Sequence, residues 1–145
     1  MRQSVVIVSA VRTAIGKFGG ALKDVSSGTL AAAVIQEAIR RANLAPEQID
    51  EVIFGEVRQT TESSNVARVA ALRAGIPETA PAFTVNRLCA SSMQAIGCGV
   101  QQIVFGHADI VVAGGTENMS RSPLYLRRAR FGEGNPQLVD SNLEN

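Results

Sequence analysis

Apolar positions along the chain follow two rhythms. Val5 to Val11 is almost entirely apolar, which predicts a buried strand, and Arg12 to Gly20 reads as a glycine-rich turn region after it. From Thr29 to Arg41 the period lengthens. Leu30, Ala33, Val34, Ala38 and Ile39 share one side, and Gln36, Glu37, Arg40 and Arg41 face water, the pattern of a helix packed on a sheet. Asn43 can close that helix, Pro46 opens a short helical turn, and Glu51 to Val57 predicts a second strand.

Arg58 to Ser64 is polar and without period. Asn65 is a cap for a helix through Arg68, Ala71 and Leu72 that stops at Gly75-Ile76-Pro77. Ala82 to Val85 predicts a third strand, a helix follows from about Cys89 to Phe105, and Asp109 to Gly115 predicts a fourth strand. This alternation is the signature of an α/β fold, a βαβαβαβ unit with a mostly parallel sheet and right-handed crossovers. From Met119 the pattern changes to Ser120-Arg121-Ser122-Pro123, an Arg-rich stretch and a polar tail. The expected division is therefore an α/β domain over 1–118 and the start of a loop domain over 119–145. Later elements normally cover the faces and edges of a parallel sheet, so the chain is expected to stop short of elements its sheet needs, as the N-terminal part of a longer protein.

Composition narrows the core and the partners. The 145 residues are 46% hydrophobic and 19% charged, with five Phe, one Tyr and no Trp, so Val, Ile, Leu and Ala must build the interior. A net charge of +1 gives no global attraction to nucleic acid or an anionic membrane, so neither is expected as a partner. The basic start and apolar run resemble a leader, but the run is too short and leads straight into Arg12. Cys89 and Cys98 are the only cysteines. On one helix they take opposite faces roughly 13 Å apart along the axis, too far to bridge. Free thiols and no signal peptide predict a cytoplasmic protein.

Leu88 to Gly106 holds no Asp, Glu, Lys, Arg or His. Ser91, Ser92, Gln94, Gln101 and Gln102 argue against lipid, so the segment predicts a buried central helix enclosed by protein on nearly all sides. Cys89 sits where strand becomes helix. Unpaired amides and the helix dipole at such a point favour a thiolate and can donate to an oxyanion. Position alone also allows a small buried hydrophobe. His107, the only histidine, is about 27 Å away on one continuous helix and reads as a C-terminal helix residue facing the dipole. Glu117 and Asn118 follow the last strand with no chemical role that the sequence defines.

Val85-Asn86-Arg87-Leu88-Cys89-Ala90-Ser91-Ser92-Met93-Gln94-Ala95-Ile96 resembles the nucleophile motif of the thiolases. Val8 to Gly20, Asn65-Val66-Ala67-Arg68 and Val112-Ala113-Gly114-Gly115-Thr116-Glu117-Asn118-Met119-Ser120 are similar to further thiolase segments, in family order and spacing. The resemblance implies two similar βαβαβαββ halves and an acyl-CoA acyltransferase of fatty acid metabolism. In it Cys89 takes an acyl group from coenzyme A, its backbone N–H donates to the oxyanion, and either acetyl-CoA condenses with the acyl group or thiolysis runs in reverse. It implies acyl-CoA and coenzyme A as partners, no separate cofactor or metal, and a homodimer or homotetramer. The segment from Arg121 to Arg130, with Tyr125, corresponds to the tetramerisation loop of tetrameric thiolases. It could equally meet coenzyme A phosphates or be a solvated loop.

The family's base His, second Cys and oxyanion Asn belong to its C-terminal half, so this chain alone is expected to be inactive. Cys98 matches no second-Cys motif and reads as core. Ala90 and Ser92 stand where many relatives have Gly, Val66 where they have Pro, and Thr60 to Ser64 where they have a Gly-rich loop. Asn-Arg-Leu-Cys with Ser-Ser-Met leans toward degradative 3-ketoacyl-CoA thiolases, whereas the N-terminal region fits acetyl-CoA acetyltransferases. Two alternatives share the pattern: a ketoacyl synthase-like condensing enzyme, and a non-catalytic thiolase-like protein that binds lipid or serves assembly.

Overall fold

The computed structural model describes residues 4–132 and 134–143; the basic start at Met1 to Gln3 and the end of the polar tail lie outside them. The elements in order are helix α1 (Ser27–Ala42), strand β1 (Glu51–Gly55), helix α2 (Val66–Arg73), strand β2 (Ala82–Val85), helix α3 (Ser91–Val104), strand β3 (Val111–Gly115) and a hairpin of β4 (Leu124–Arg127) and β5 (Gln137–Asp140). Short 3-10 turns lie at Pro46–Gln48 and Met119–Arg121.

Local chemistry sets the helix ends. Ser26 Oγ accepts from the Thr29 N–H at 3.2 Å to start α1, and Asn43 ends it in the left-handed region at φ 55, a conformation Asn tolerates better than most residues. Asn65 caps α2 by accepting from the Arg68 N–H at 3.2 Å. It also donates to the Ala82 carbonyl at 3.0 Å and accepts from the Thr84 hydroxyl at 2.8 Å, so one side chain starts the helix and fastens it to β2.

The main sheet has the order β2-β1-β3 and is parallel throughout, with Val52 level with both Ala82 and Val112. β1 is central and all five of its residues are buried. Its two crossovers run in opposite directions across it, and right-handedness then places α2 and α3 on opposite faces. Val52 and Phe54 join Ile35, Ile39, Val66, Ala67, Ala70 and Ala71 in the core beneath α1 and α2, while Ile53, also fully buried, points to the α3 side as strand alternation requires. Burial of an Ile side chain contributes about 1.5–3 kcal/mol, so this aliphatic cluster, and not aromatic stacking, holds the layers together.

Three expectations change. Val5 to Val11 forms no strand, and Val6, Ile7 and Val8 are 72%, 79% and 69% exposed. The segment lines a cleft of about 890 Å³ together with α1, α3 and β3, and it joins no ladder. α3 is buried only along Ser91, Ala95 and Gly99, with Met93 at 71% exposure; within this chain the sheet covers one side of it. The tail from Met119 also folds back as an antiparallel pair, Leu126 opposite Leu138, tied down by the Ser141 N–H on the Pro123 carbonyl at 3.3 Å and Asn142 Nδ2 on the Met119 carbonyl at 3.0 Å.

Candidate active site

The parallel strands end level, with Gly55 beside Val85 and Gly115. The segments that follow them, 56–58, 86–90 and 116–118, therefore meet along the carboxyl edge of the sheet, where parallel α/β sheets place their ligands. Cys89 is in the middle segment and is exposed. It lies just ahead of α3, whose cap is Ala90, and so precedes the first helical turn that the sequence assigned to it.

The turn that carries the thiol is tightly specified. Leu88 has φ 50, a left-handed conformation disfavoured for a residue with a Cβ. Its N–H donates to Asn86 Oδ1 at 3.0 Å. Its carbonyl accepts from Ser91 Oγ at 2.6 Å, and that same hydroxyl oxygen accepts from the Arg87 N–H at 2.8 Å. Ser91 is buried, so this bridge is shielded from water, and the Arg87 guanidinium adds an outer contact to Gln94 Oε1 at 2.6 Å.

Glycines bring the head of α3 down onto the strand ends. A Cβ at Gly55 would stand 2.6 Å from the Ser91 carbonyl carbon and Cβ, and one at Gly115 would stand 1.9 Å from Ser92 Oγ. The first cannot exist without moving the helix backbone, and the second requires Ser92 to rotate or the helix head to shift. The missing side chains in β1 and β3 thus set the height of the Cys89 turn above the sheet.

Residues with no role legible in the sequence frame this edge. Glu117 accepts from the Val57 N–H at 2.8 Å and from the Arg58 N–H at 3.3 Å. Asn86 Nδ2 donates to the Val57 carbonyl at 3.1 Å. Asn118 donates to the carbonyls of Leu22 at 3.0 Å and Val25 at 2.7 Å, and Thr116 Oγ1 donates to the Ser27 carbonyl at 3.0 Å, so the Gly-Gly-Thr-Glu-Asn segment moors the loop before α1. Glu56 is 1% exposed and neither carboxyl oxygen completes a hydrogen bond among the described residues. Burial pushes its carboxyl up to about 7; the Ser27 hydroxyl, close by but short of full bonding geometry, opposes the shift and the Glu117 carboxylate adds to it. An Asn just ahead of a turn is a readable signal; Glu117 was hidden because its partners are backbone amides of a different segment.

The remaining candidates stand apart from Cys89. Cys98 is half-buried and its Sγ accepts from Gln94 Nε2 at 3.4 Å, so it is a flank residue of α3 and not core as its motif-free position suggested. His107 lies beyond the far end of α3, a helix about 21 Å long, with Nδ1 3.1 Å from Gln102 Oε1 and its ring 6.2 Å from that of Phe105. Arg121 pairs with Glu62 and donates to the Asp24 carbonyl at 3.2 Å, clasping two loops, whereas Tyr125 is exposed on the hairpin. Among the described residues no group of three or more His, Cys, Asp or Glu could hold a metal ion, and no helix is long and apolar enough to cross a membrane.

This architecture is shared with known proteins. Residues 5–143 match the thiolase N-terminal domain family. A probable acetyl-CoA acyltransferase of Staphylococcus aureus is 50% identical over 139 residues, which are 94% of this chain and 35% of that protein. An acetyl-CoA acetyltransferase of Syntrophomonas wolfei is 52% identical over 132 residues, 91% of this chain and 33% of its own length. Among solved structures, the Bacillus anthracis acetyl-CoA acetyltransferase superposes with a TM-score of 0.90 at 46% identity over 94% of this chain and 35% of its own. A thiolase from Ascaris suum in complex with coenzyme A gives 0.89 at 40% identity, covering 95% and 36%. The chain thus spans about 35% of the length of the curated relatives it matches. With its parallel sheet and its cysteine turn at the head of α3, the chain belongs to the thiolase family and corresponds to the N-terminal portion of its members.

Proposed function

We propose that this chain carries the acyl-accepting nucleophile of an acyl-CoA acyltransferase, with Cys89 as that nucleophile. The observation that carries the reading is the exposed thiol on a left-handed turn at the carboxyl edge of the sheet. A thioester carbonyl can approach it there from solvent, with the head of α3 immediately behind. The Cys89 sulfur forms a bond to the acyl carbon, the carbon–sulfur bond to coenzyme A breaks, and coenzyme A leaves as a thiolate that takes up a proton. In condensation, the α-carbanion of acetyl-CoA then attacks the acyl-cysteine, a carbon–carbon bond forms, and the Cys89 thiolate is released with 3-oxoacyl-CoA. Thiolysis is the reverse.

During attack the carbonyl oxygen gains charge, and the Cys89 N–H is the donor proposed to stabilise it. The second step needs an acid/base to handle the α-proton. His107 is too distant to act, and the resemblance places that group in the family's C-terminal half, so the chain by itself is inactive in this reading. Acyl-CoA and coenzyme A are its substrates, a homodimer or homotetramer its assembly, and the cytoplasm its setting. The resemblance and the two free thiols support these assignments.

The test is acyl transfer from labelled acetyl-CoA to the full-length protein, followed by peptide mapping. Label is expected on Cys89 and absent from a Cys89→Ala variant. Label on another residue, or none, would overturn the assignment, and absence altogether would favour a thiolase-like binding protein. Incubation of the 145-residue chain with acetoacetyl-CoA and coenzyme A is expected to show no loss of the 3-oxo thioester; steady turnover would contradict the inactive half-site.

A further inference from the structure

We propose that Asn86 and Glu117 are positioning residues for the Cys89 nucleophile, joined to it by one hydrogen-bonded path across the strand ends; this rests on the reading of Cys89 as the acyl acceptor. The path begins after β3. Glu117 accepts from the Val57 and Arg58 N–H groups at 2.8 and 3.3 Å, which fixes the segment after β1. The Val57 carbonyl accepts from Asn86 Nδ2 at 3.1 Å, and Asn86 Oδ1 accepts from the Leu88 N–H at 3.0 Å. Leu88 is the neighbour of Cys89 and holds φ 50.

A left-handed leucine persists only where its surroundings over-determine it. Ser91 Oγ holds the carbonyl side of Leu88 from within α3. Asn86 holds the amide side and ties it to the segment after β1. Glu117 acts one step further back, since a carboxylate that binds two adjacent backbone amides stops the Val57 carbonyl from turning away. The side chain of Asn86 is exposed and takes no part in the core. Its removal should therefore loosen the turn without costing the fold much stability.

The experiment compares Asn86→Ala, Asn86→Asp, Glu117→Gln and the double variant Asn86→Ala/Glu117→Gln in the full-length protein. The readouts are single-turnover acylation of Cys89 by acetyl-CoA, steady-state kcat and KM for acetoacetyl-CoA thiolysis, and thermal unfolding. Asn86→Ala is expected to slow acylation by roughly 10–100-fold, the scale of a displaced nucleophile, with KM changed by no more than about twofold. Asn86→Asp keeps the acceptor for Leu88 and should recover part of that loss. In the double variant the losses should not multiply, because both residues act through one path. Acylation of Asn86→Ala within about threefold of the parent, a loss confined to KM, or multiplicative losses in the double variant would each overturn the proposal. Cys89→Ala separates the two readings: if it is dead while Asn86→Ala is unimpaired, only the positioning role fails, and if it still turns over, the nucleophile assignment fails.

Discussion

Glu56 shows how one buried side chain makes the whole fold sensitive to pH. Its ordinary value is 4.5 and in the folded chain it is pushed up to about 7, chiefly by burial. Between those limits the folded chain retains a proton that the unfolded chain has already released. Stability therefore falls as pH rises through the window, by about 3 kcal/mol in total, and the loss is complete above it. Glu56→Gln should remove this slope, so that denaturant midpoints measured at pH 5 and pH 7.5 differ less in the variant than in the parent; an unchanged slope would show that Glu56 ionises freely. At this scale Cys89 was legible as a candidate because its motif is local in sequence. Glu56 was not, since nothing in Gly55-Glu56-Val57 distinguishes a buried carboxyl from an exposed one. Glu117 was not either, since its partners lie some sixty residues upstream.

At the scale of elements, α3 is placed by what the strands beneath it lack. Gly115 approaches Ser92 so closely that a Cβ would overlap its hydroxyl. Gly115→Ala is expected to cost about 1–3 kcal/mol through overpacking and to slow Cys89 acylation in the full-length protein, because the helix head must rise. Normal stability with normal acylation would mean that Ser92 simply rotates away. In the core, Ile35→Ala should cost about 2–5 kcal/mol, read from a denaturant midpoint, since Ile35 is 1% exposed in the cluster that α1 shares with α2 and β1. Helix α1, its Asn43 terminus, the Asn65 cap and strands β1 to β3 were readable because each is written in local period and capping chemistry. The hairpin was not: β4 is exposed at every residue and so carries no buried face, and the connection to β5 exceeds the roughly two to five residues of common hairpin loops. Val5 to Val11 misled for the opposite reason. It has the apolar run of a strand, but a strand also needs a neighbour, and here it pairs with none.

For the molecule as a whole, protection should follow this contrast. Amide exchange in the 145-residue chain is expected to be slowest at Val52 to Phe54, which hydrogen-bond in a fully buried central strand, and fast at Val6 to Val8, which join no ladder. Slow exchange at Val6 to Val8 would show that the segment closes onto β3 in solution. The level strand ends carry a consequence of their own. Because Gly55, Val85 and Gly115 share one register, the ladder works as a jig: a slip of one residue, about 3.3 Å, would part the three segments that meet around the thiol. Alignment of the site is then a property of the sheet's cooperativity and not of the loops, and it should hold unchanged on warming until the sheet itself gives way, with both lost in a single transition.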